Sequence, residues 1–172
     1  MKRAPLVLGL LAALLAACGP AAVDVPLPAL DAGVDASAWA RVPAGEFLSG
    51  PHGDPIPIDY DYEIMVTDVT VAQYVAFLNA ALAAGTVRLG EGAVVAAYAG
   101  DDYSGAKHEV RIAAGDYAIV PLDDPASPFT FDGRSFAVRN GWEGHPMANV
   151  TWFGARAYCL ENGWRLPSEV EW

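Results

Sequence analysis

Two stretches of this chain carry the spacing of an amphipathic helix, and the sequence between them is cut into short segments by turn residues. In the first, Val71, Tyr74, Val75, Leu78 and Leu82 recur at i, i+3, i+4 and i+7, which predicts a helix over 71–84 with one apolar face. Thr70 stands where an N-cap hydroxyl would satisfy an orphan N–H, Gln73 occupies the reciprocal capping-box position, and Gly85 ends the pattern. The second helix is expected to start from Thr151 as N-cap and run to about Glu161, burying Trp152, Ala155, Tyr158 and Cys159, with Gly163 closing it. Two helices this far apart, with no alternation of strand and helix, predict an α+β fold rather than a parallel α/β sheet.

The remaining segments read as short strands. Trp39–Gly50 is a short apolar strand broken by turn residues, and Tyr62–Thr67 has the aromatic and β-branched bias of a half-buried strand. Between the helices, residues 86–144 read as β-rich and loopy, with strands expected at Val94–Tyr98, Glu109–Ile112, Tyr117–Pro121, Phe129–Phe131 and Ser135–Val138. Asp132-Gly133 between the last two is the signal of a type I′ hairpin, which needs residues tolerant of positive φ. Ser168-Glu-Val-Glu171, after Pro167, has the form of a capping box and announces a helix one turn before the last residue, Trp172. A helix that short cannot sustain itself, so the chain reads as cut in mid-element.

The N-terminus reads as an address. Lys2 and Arg3 precede an apolar run, Leu6 to Leu15, of about ten residues, the length of a signal peptide and short of the about 20 needed to span a bilayer. The run enters Leu15-Ala16-Ala17-Cys18, which resembles the bacterial lipobox; the resemblance implies removal of residues 1–17, lipidation of Cys18 and a lipid-anchored place in the cell envelope, at the outer membrane or surface. Residues 18–38, rich in Ala, Pro, Asp and Gly without any period, then form a flexible lipid-bearing tether ahead of one domain, 39–172. The whole chain carries 10 Lys+Arg against 21 Asp+Glu, a formal charge of −11; removing Lys2 and Arg3 with no acid deepens it to −13. That balance argues against nucleic acid as a partner, and the 53% hydrophobic content against disorder.

Five motifs occur in order: Val42-Pro-Ala-Gly-Glu-Phe-Leu-Ser-Gly50, Tyr62-Glu-Ile-Met-Val-Thr-Asp-Val-Thr-Val-Ala-Gln-Tyr74, His145-Pro-Met-Ala-Asn-Val-Thr-Trp152, Ala155-Arg-Ala-Tyr-Cys159 and Arg165-Leu-Pro-Ser-Glu-Val-Glu-Trp172. Together they resemble the opening half of the formylglycine-generating enzyme, or sulfatase-modifying-factor, domain. The resemblance implies an incomplete C-type-lectin-like α+β fold, poor in regular structure, with about 86–144 as an insertion. It also implies that authentic members oxidise a substrate cysteine with O₂ and copper held by two cysteines. Those cysteines and the calcium-binding segments belong to the C-terminal half, so no residue of this chain inherits a catalytic, cofactor or metal role, and copper and calcium are implied only for the missing half. Cys159 matches a family cysteine that commonly forms a disulfide with one near the domain's C-terminus, which leaves it unpaired here; a buried, inert thiol is the other reading.

Other chemistry is weaker. His52, His108 and His145 lack metal-ligand spacing, and His145 before Pro146 reads as setting the turn into the second helix. Asp101-Asp102 and Asp123-Asp124 lack the spacing of a calcium loop and read as solvated turns. Asn149-Val-Thr151 matches a glycosylation triplet, but Thr151 already has a capping role. Trp142, Trp152, Trp164 and Trp172 read as core and turn packing, with a carbohydrate or peptide platform as the alternative. Three functions follow as expectations: a lipid-anchored fragment of a formylglycine-generating-type oxidoreductase, a non-catalytic envelope module binding a protein or peptide, and an independently folded domain with only structural likeness to the family.

Overall fold

The computed structural model describes residues 30–50, 52–105 and 108–172, with side chains described outside 102–110. The signal segment, Cys18 and most of the tether lie outside the described residues. The elements in chain order are β1 (Trp39–Val42), β2 (Gly45–Ser49), β3 (Asp54–Ile58), β4 (Tyr62–Met65), α1 (Val71–Ala84), β5 (Val87–Leu89), β6 (Ala93–Tyr98), β7 (Asp101–Gly105), β8 (His108–Ile112), β9 (Gly115–Pro121), β10 (Phe129–Phe131), β11 (Phe136–Val138) and α2 (Trp152–Glu161). All strand pairs are antiparallel: β1–β4, β2–β3, β7–β8, β10–β11 and the three-stranded β5–β6–β9. This is the α+β class read from the helix spacing.

Both helices start and stop where their signals stand. Thr70 Oγ1 accepts from Gln73 N at 3.2 Å while Gln73 Oε1 accepts from Thr70 N at 2.8 Å, a complete capping box. Gly85, at φ 75°, leaves the helix, and the N–H of Thr86 reaches back to Ala81 O at 3.0 Å. At α2 the cap is Asn162, and Gly163, at φ 75°, follows it; Gly163 N donates to Leu160 O and Trp164 N to Cys159 O. That pair of bonds is a Schellman motif, which an L side chain at 163 would strain.

The core forms where α1, α2 and the three-stranded sheet meet. Tyr74 and Leu78 of α1, Val94 of β6 and Ile119 and Val120 of β9 are among its most fully enclosed side chains. Burying an aliphatic or aromatic side chain of this size contributes about 1.5–3 kcal/mol. Residues 86–144, expected as an insertion, therefore supply much of this core, adding Phe129 and Phe136 from β10 and β11. The Cα of Gly154 is what lets α2 lie close. A Cβ there would stand 2.4 Å from Ile119 O, 2.7 Å from Tyr74 Oη and 2.8 Å from Val150 Cγ1. Thr151 ties the same helix to β9, donating from N to Ile119 O at 3.1 Å and from Oγ1 to Ala118 O at 2.6 Å.

Several local expectations are corrected. Trp152 is 51% exposed, because the inward face of α2 is set by Gly154 and Tyr158, while Ala155 and Cys159 are half-buried. Asp132-Gly133 is no type I′ turn: only Gly133 has positive φ, and the Asp132 carboxylate accepts from Arg134 N and Ser135 N, a side-chain-closed loop of the Asx kind. His145 serves α1 rather than α2, its carbonyl accepting from Val71 N at 2.8 Å. Ser168–Glu171 forms a single turn, in which Ser168 N donates to the Glu171 carboxylate at 2.8 Å as in a capping box, while the same carboxylate also takes the Arg165 guanidinium. Strands β3, β5 and β7 went unread, β3 because Pro55 and Pro57 disguise it.

Candidate functional site

A groove of about 590 Å³ lies between β4, the end of α2 and the segment 164–172. One wall follows from the Schellman turn, which throws Trp164 back so that its ring meets Trp39 edge-on at 4.7 Å and lies 6.2 Å from Tyr158. Trp39, Tyr158, Trp164, Leu166 and Trp172 make the groove mostly apolar.

The segment 165–172 is held in place by a polar latch. Arg165 Nη1 donates to Glu171 Oε2 at 2.6 Å and Nη2 to Oε1 at 2.5 Å. The same carboxylate accepts from Ser168 N at 2.8 Å and from the Tyr60 hydroxyl at 3.0 Å, while the Tyr62 hydroxyl donates to Glu171 O at 3.0 Å. Only 1% of the Glu171 side chain is exposed, against 63% for Arg165. The guanidinium, foremost, and the Ser168 N–H hold the Glu171 carboxyl far below the usual carboxylate range, and the same hydrogen bond raises Arg165. Accepting a bond from Tyr60 also pushes that phenol's titration upward. The sequence signal for the local part of this latch was present in Arg165-Leu-Pro-Ser-Glu-Val-Glu-Trp172, where Glu171 reads as a helix cap; Tyr60 and Tyr62 are the partners that reach it across the fold.

Along the other wall, Tyr62, Glu63, Ile64 and Met65 all line the groove. Successive residues of a strand point to opposite faces, so four in a row mark a groove running along the strand's edge. The pairing explains why that edge is open. Val66 N donates to Ala38 O at 3.1 Å in the register that pairs Ile64 with Ala40 and Tyr62 with Val42. Antiparallel alternation then turns the N–H and C=O of Glu63 and Met65 away from β1. Among the described residues these groups have no partner.

Of the residues singled out in sequence, Cys159 lines this groove as a half-buried free thiol whose titration burial pushes upward. Trp164 and Trp172 border it too, although Trp172 is 87% exposed and packs little; Trp142 packs on His145, and Trp152 lies outward beside Tyr98, whose ring Arg156 covers at 4.8 Å. Of the acidic pairs read as turns, Asp123-Asp124 sits at one, with Asp124 accepting from Ala126 N at 2.8 Å and from Asn149 Nδ2 at 2.9 Å, whereas Asp101-Asp102 opens strand β7, paired with Ile112 and Arg111 of β8. Among the described residues no three His, Cys, Asp or Glu side chains converge as metal ligands. A copper site of two cysteines does not fit the residues here: Cys159 is the one cysteine described, and its burial disfavours the thiolate a metal needs.

A fold of short antiparallel sheets under two capped helices, locked by the Arg165–Glu171 latch, is the setting in which the comparisons fall. The model of the FGE-sulfatase family, the sulfatase-modifying factor enzyme 1-like domain, matches residues 30–172, and the chain belongs to that family. It is similar to the serine/threonine-protein kinase Pkn1 of Chlamydia trachomatis, 49% identical over 35 residues, and to that of Chlamydia caviae, 46% identical over 35. Each match covers 20% of this chain and 6% of the kinase. No solved structure matches.

Proposed function

We propose that this is a sulfatase-modifying-factor-type domain carried as a lipoprotein: Cys18 holds the lipid, residues up to 38 are the tether, and the domain stands on the bacterial cell envelope, at the outer membrane or surface. In this reading residues 39–172 are the N-terminal, structural part of the domain, and formylglycine chemistry, with copper and calcium, depends on residues other than these. The observation that carries it is the Arg165–Glu171 latch. The family's signature segment serves here to close one wall of a groove, and its Arg165 and Glu171 side chains are engaged with each other.

The second reading is a non-catalytic module of the same fold that binds a protein or peptide at the envelope. The groove favours it, because an apolar trough beside an open strand edge is a surface for an extended chain. Metabolic labelling with palmitate tests the anchor: label incorporated by the chain and lost in Cys18→Ala supports it, and equal labelling refutes it. A copper-loaded assay on a cysteine-containing peptide tests the chemistry. Turnover by these 172 residues would overturn the assignment of catalysis elsewhere.

A further inference from the structure

We infer that residues 30–38 are a strap docked on the N-terminal end of α1 by the side-chain amide of Gln73, and that this docking sets how close the domain stands to its anchor. The distance it sets rests on the lipid-anchor reading; the docking does not. In sequence these residues belong to the tether, yet both ends of the segment meet the domain. Ala36 O accepts from Gln73 Nε2 at 3.2 Å and from Thr67 Oγ1 at 3.4 Å. Ala38 O accepts from Val66 N at 3.1 Å, which carries the β1–β4 pairing one step beyond Trp39. At the other end Leu30 O passes so close to Gly144 that a Cβ there would stand 3.3 Å away. Asp31 and Asp35 shape the chain between, their carboxylates accepting from Gly33 N and Ser37 N at 2.8 Å each. The match to the family also begins at residue 30 rather than at 39.

The two ends of the Gln73 amide have different work. Its Oε1 accepts from Thr70 N at 2.8 Å, as the capping box requires, which leaves Nε2 facing Ala36 O. A peptide N–H only donates and a carbonyl only accepts, so the amide fits in one orientation. Glutamate serves a capping box equally well, but here it would set a carboxylate oxygen against the Ala36 carbonyl. One side chain therefore closes the helix and fastens the strap. The consequence is a length. With 30–38 fastened, the eleven residues 19–29 separate Cys18 from the domain, a reach of at most about 40 Å; with 30–38 free the span is 19–38, at most about 70 Å. The Gly144 end also fixes where the chain enters. Glu143 O and His145 O, on either side of it, accept from Ala72 N and Val71 N, so the entry lies beside the first turn of α1.

The test compares the full chain with Q73E and Q73A by hydrogen exchange. Q73E should keep the Thr70 amide as slow as in the parent, because a carboxylate still accepts from it and suits the positive end of a helix. Exchange at Ala38 and Val66 should meanwhile quicken tenfold or more. Q73A, which loses both ends of the amide, should quicken all three. Unchanged exchange at Ala38 and Val66 in Q73E, or a Thr70 amide that quickens along with them, would overturn the docking role of Gln73. For the distance, the lipidated full chain is placed in phosphatidylcholine vesicles containing dansyl-labelled lipid. Energy transfer from tryptophan to dansyl should be at least twofold higher for the parent than for Q73E, and equal transfer would overturn the standoff. Equal vesicle association by the parent and Cys18→Ala would overturn the anchor and the standoff with it, while the exchange results still decide the docking.

Discussion

Arg165 and Glu171 form a two-bond pair, 2.6 and 2.5 Å, across a tight turn, with the carboxylate sealed from water and the guanidinium half in it. The arrangement draws Tyr60, Tyr62 and the main chain of Ser168 onto one acid, so the end of the chain is tied to β4 and the residues before it.

Glu171→Gln should therefore destabilise the domain by about 2 kcal/mol, since hydrogen bonds to a charged group are worth about 1.5–3 kcal/mol. Because the folded carboxyl titrates below its unfolded value, the stabilisation is complete above the ordinary carboxylate range and fades as pH falls through the folded value. Thermal melts of the two proteins should thus differ most near neutral pH and converge in strong acid. A gap that widens on acidification would contradict the latch.

Gly154→Ala should cost about 1–3 kcal/mol despite Ala's better helix propensity, because the new methyl meets the Ile119 carbonyl at 2.4 Å and main chain yields little. Urea midpoints of the variant and the parent give the difference directly. An unchanged midpoint would mean that α2 does not approach β9 this closely.

Tyr74→Phe should be neutral or stabilise by up to about 1 kcal/mol. The Tyr74 hydroxyl is buried with no hydrogen-bond partner among the described residues, and its desolvation already pushes the phenol's ionisation far upward. Since the same oxygen lies 2.7 Å from the methyl introduced in Gly154→Ala, the double variant should recover part of that loss, a coupling of about 0.5 kcal/mol or more. Strict additivity in a double-mutant cycle would refute the contact.

Cys159 should react slowly. Burial raises its thiol above the ordinary range, so thiolate is scarce at neutral pH and increases only as the solution is made more alkaline. Alkylation by iodoacetamide at pH 7.5, read by peptide mapping, should run several-fold slower than for glutathione and gain speed on raising the pH. A rate equal to glutathione's would mean an open, solvated thiol.

Local signals were legible wherever one short segment settles its own conformation. The caps at Thr70 and Thr151, the glycine exits at Gly85 and Gly163 and the strands around Val94, Tyr117 and Phe129 stand where their side-chain patterns placed them. Periodicity misread Trp152, because a bulky apolar side chain and a close-packing glycine compete for the inward face of α2 and the glycine's neighbours lie on β9. Pro55 and Pro57 hid β3, whose hairpin with β2 places no burden on their missing N–H groups.

The amino-acid sequence by itself determined the class of the fold, the helix ends and, through its ordered motifs, the family, since each depends on neighbours a few residues apart or on pattern alone. Tertiary structure decided what the signature segment does. Glu171 reads in sequence as the cap of a helix; its bonds to Tyr60 and Arg165 make it a latch, because a buried carboxylate takes the strongest donors within reach, and the most distant of these are brought there only by the fold.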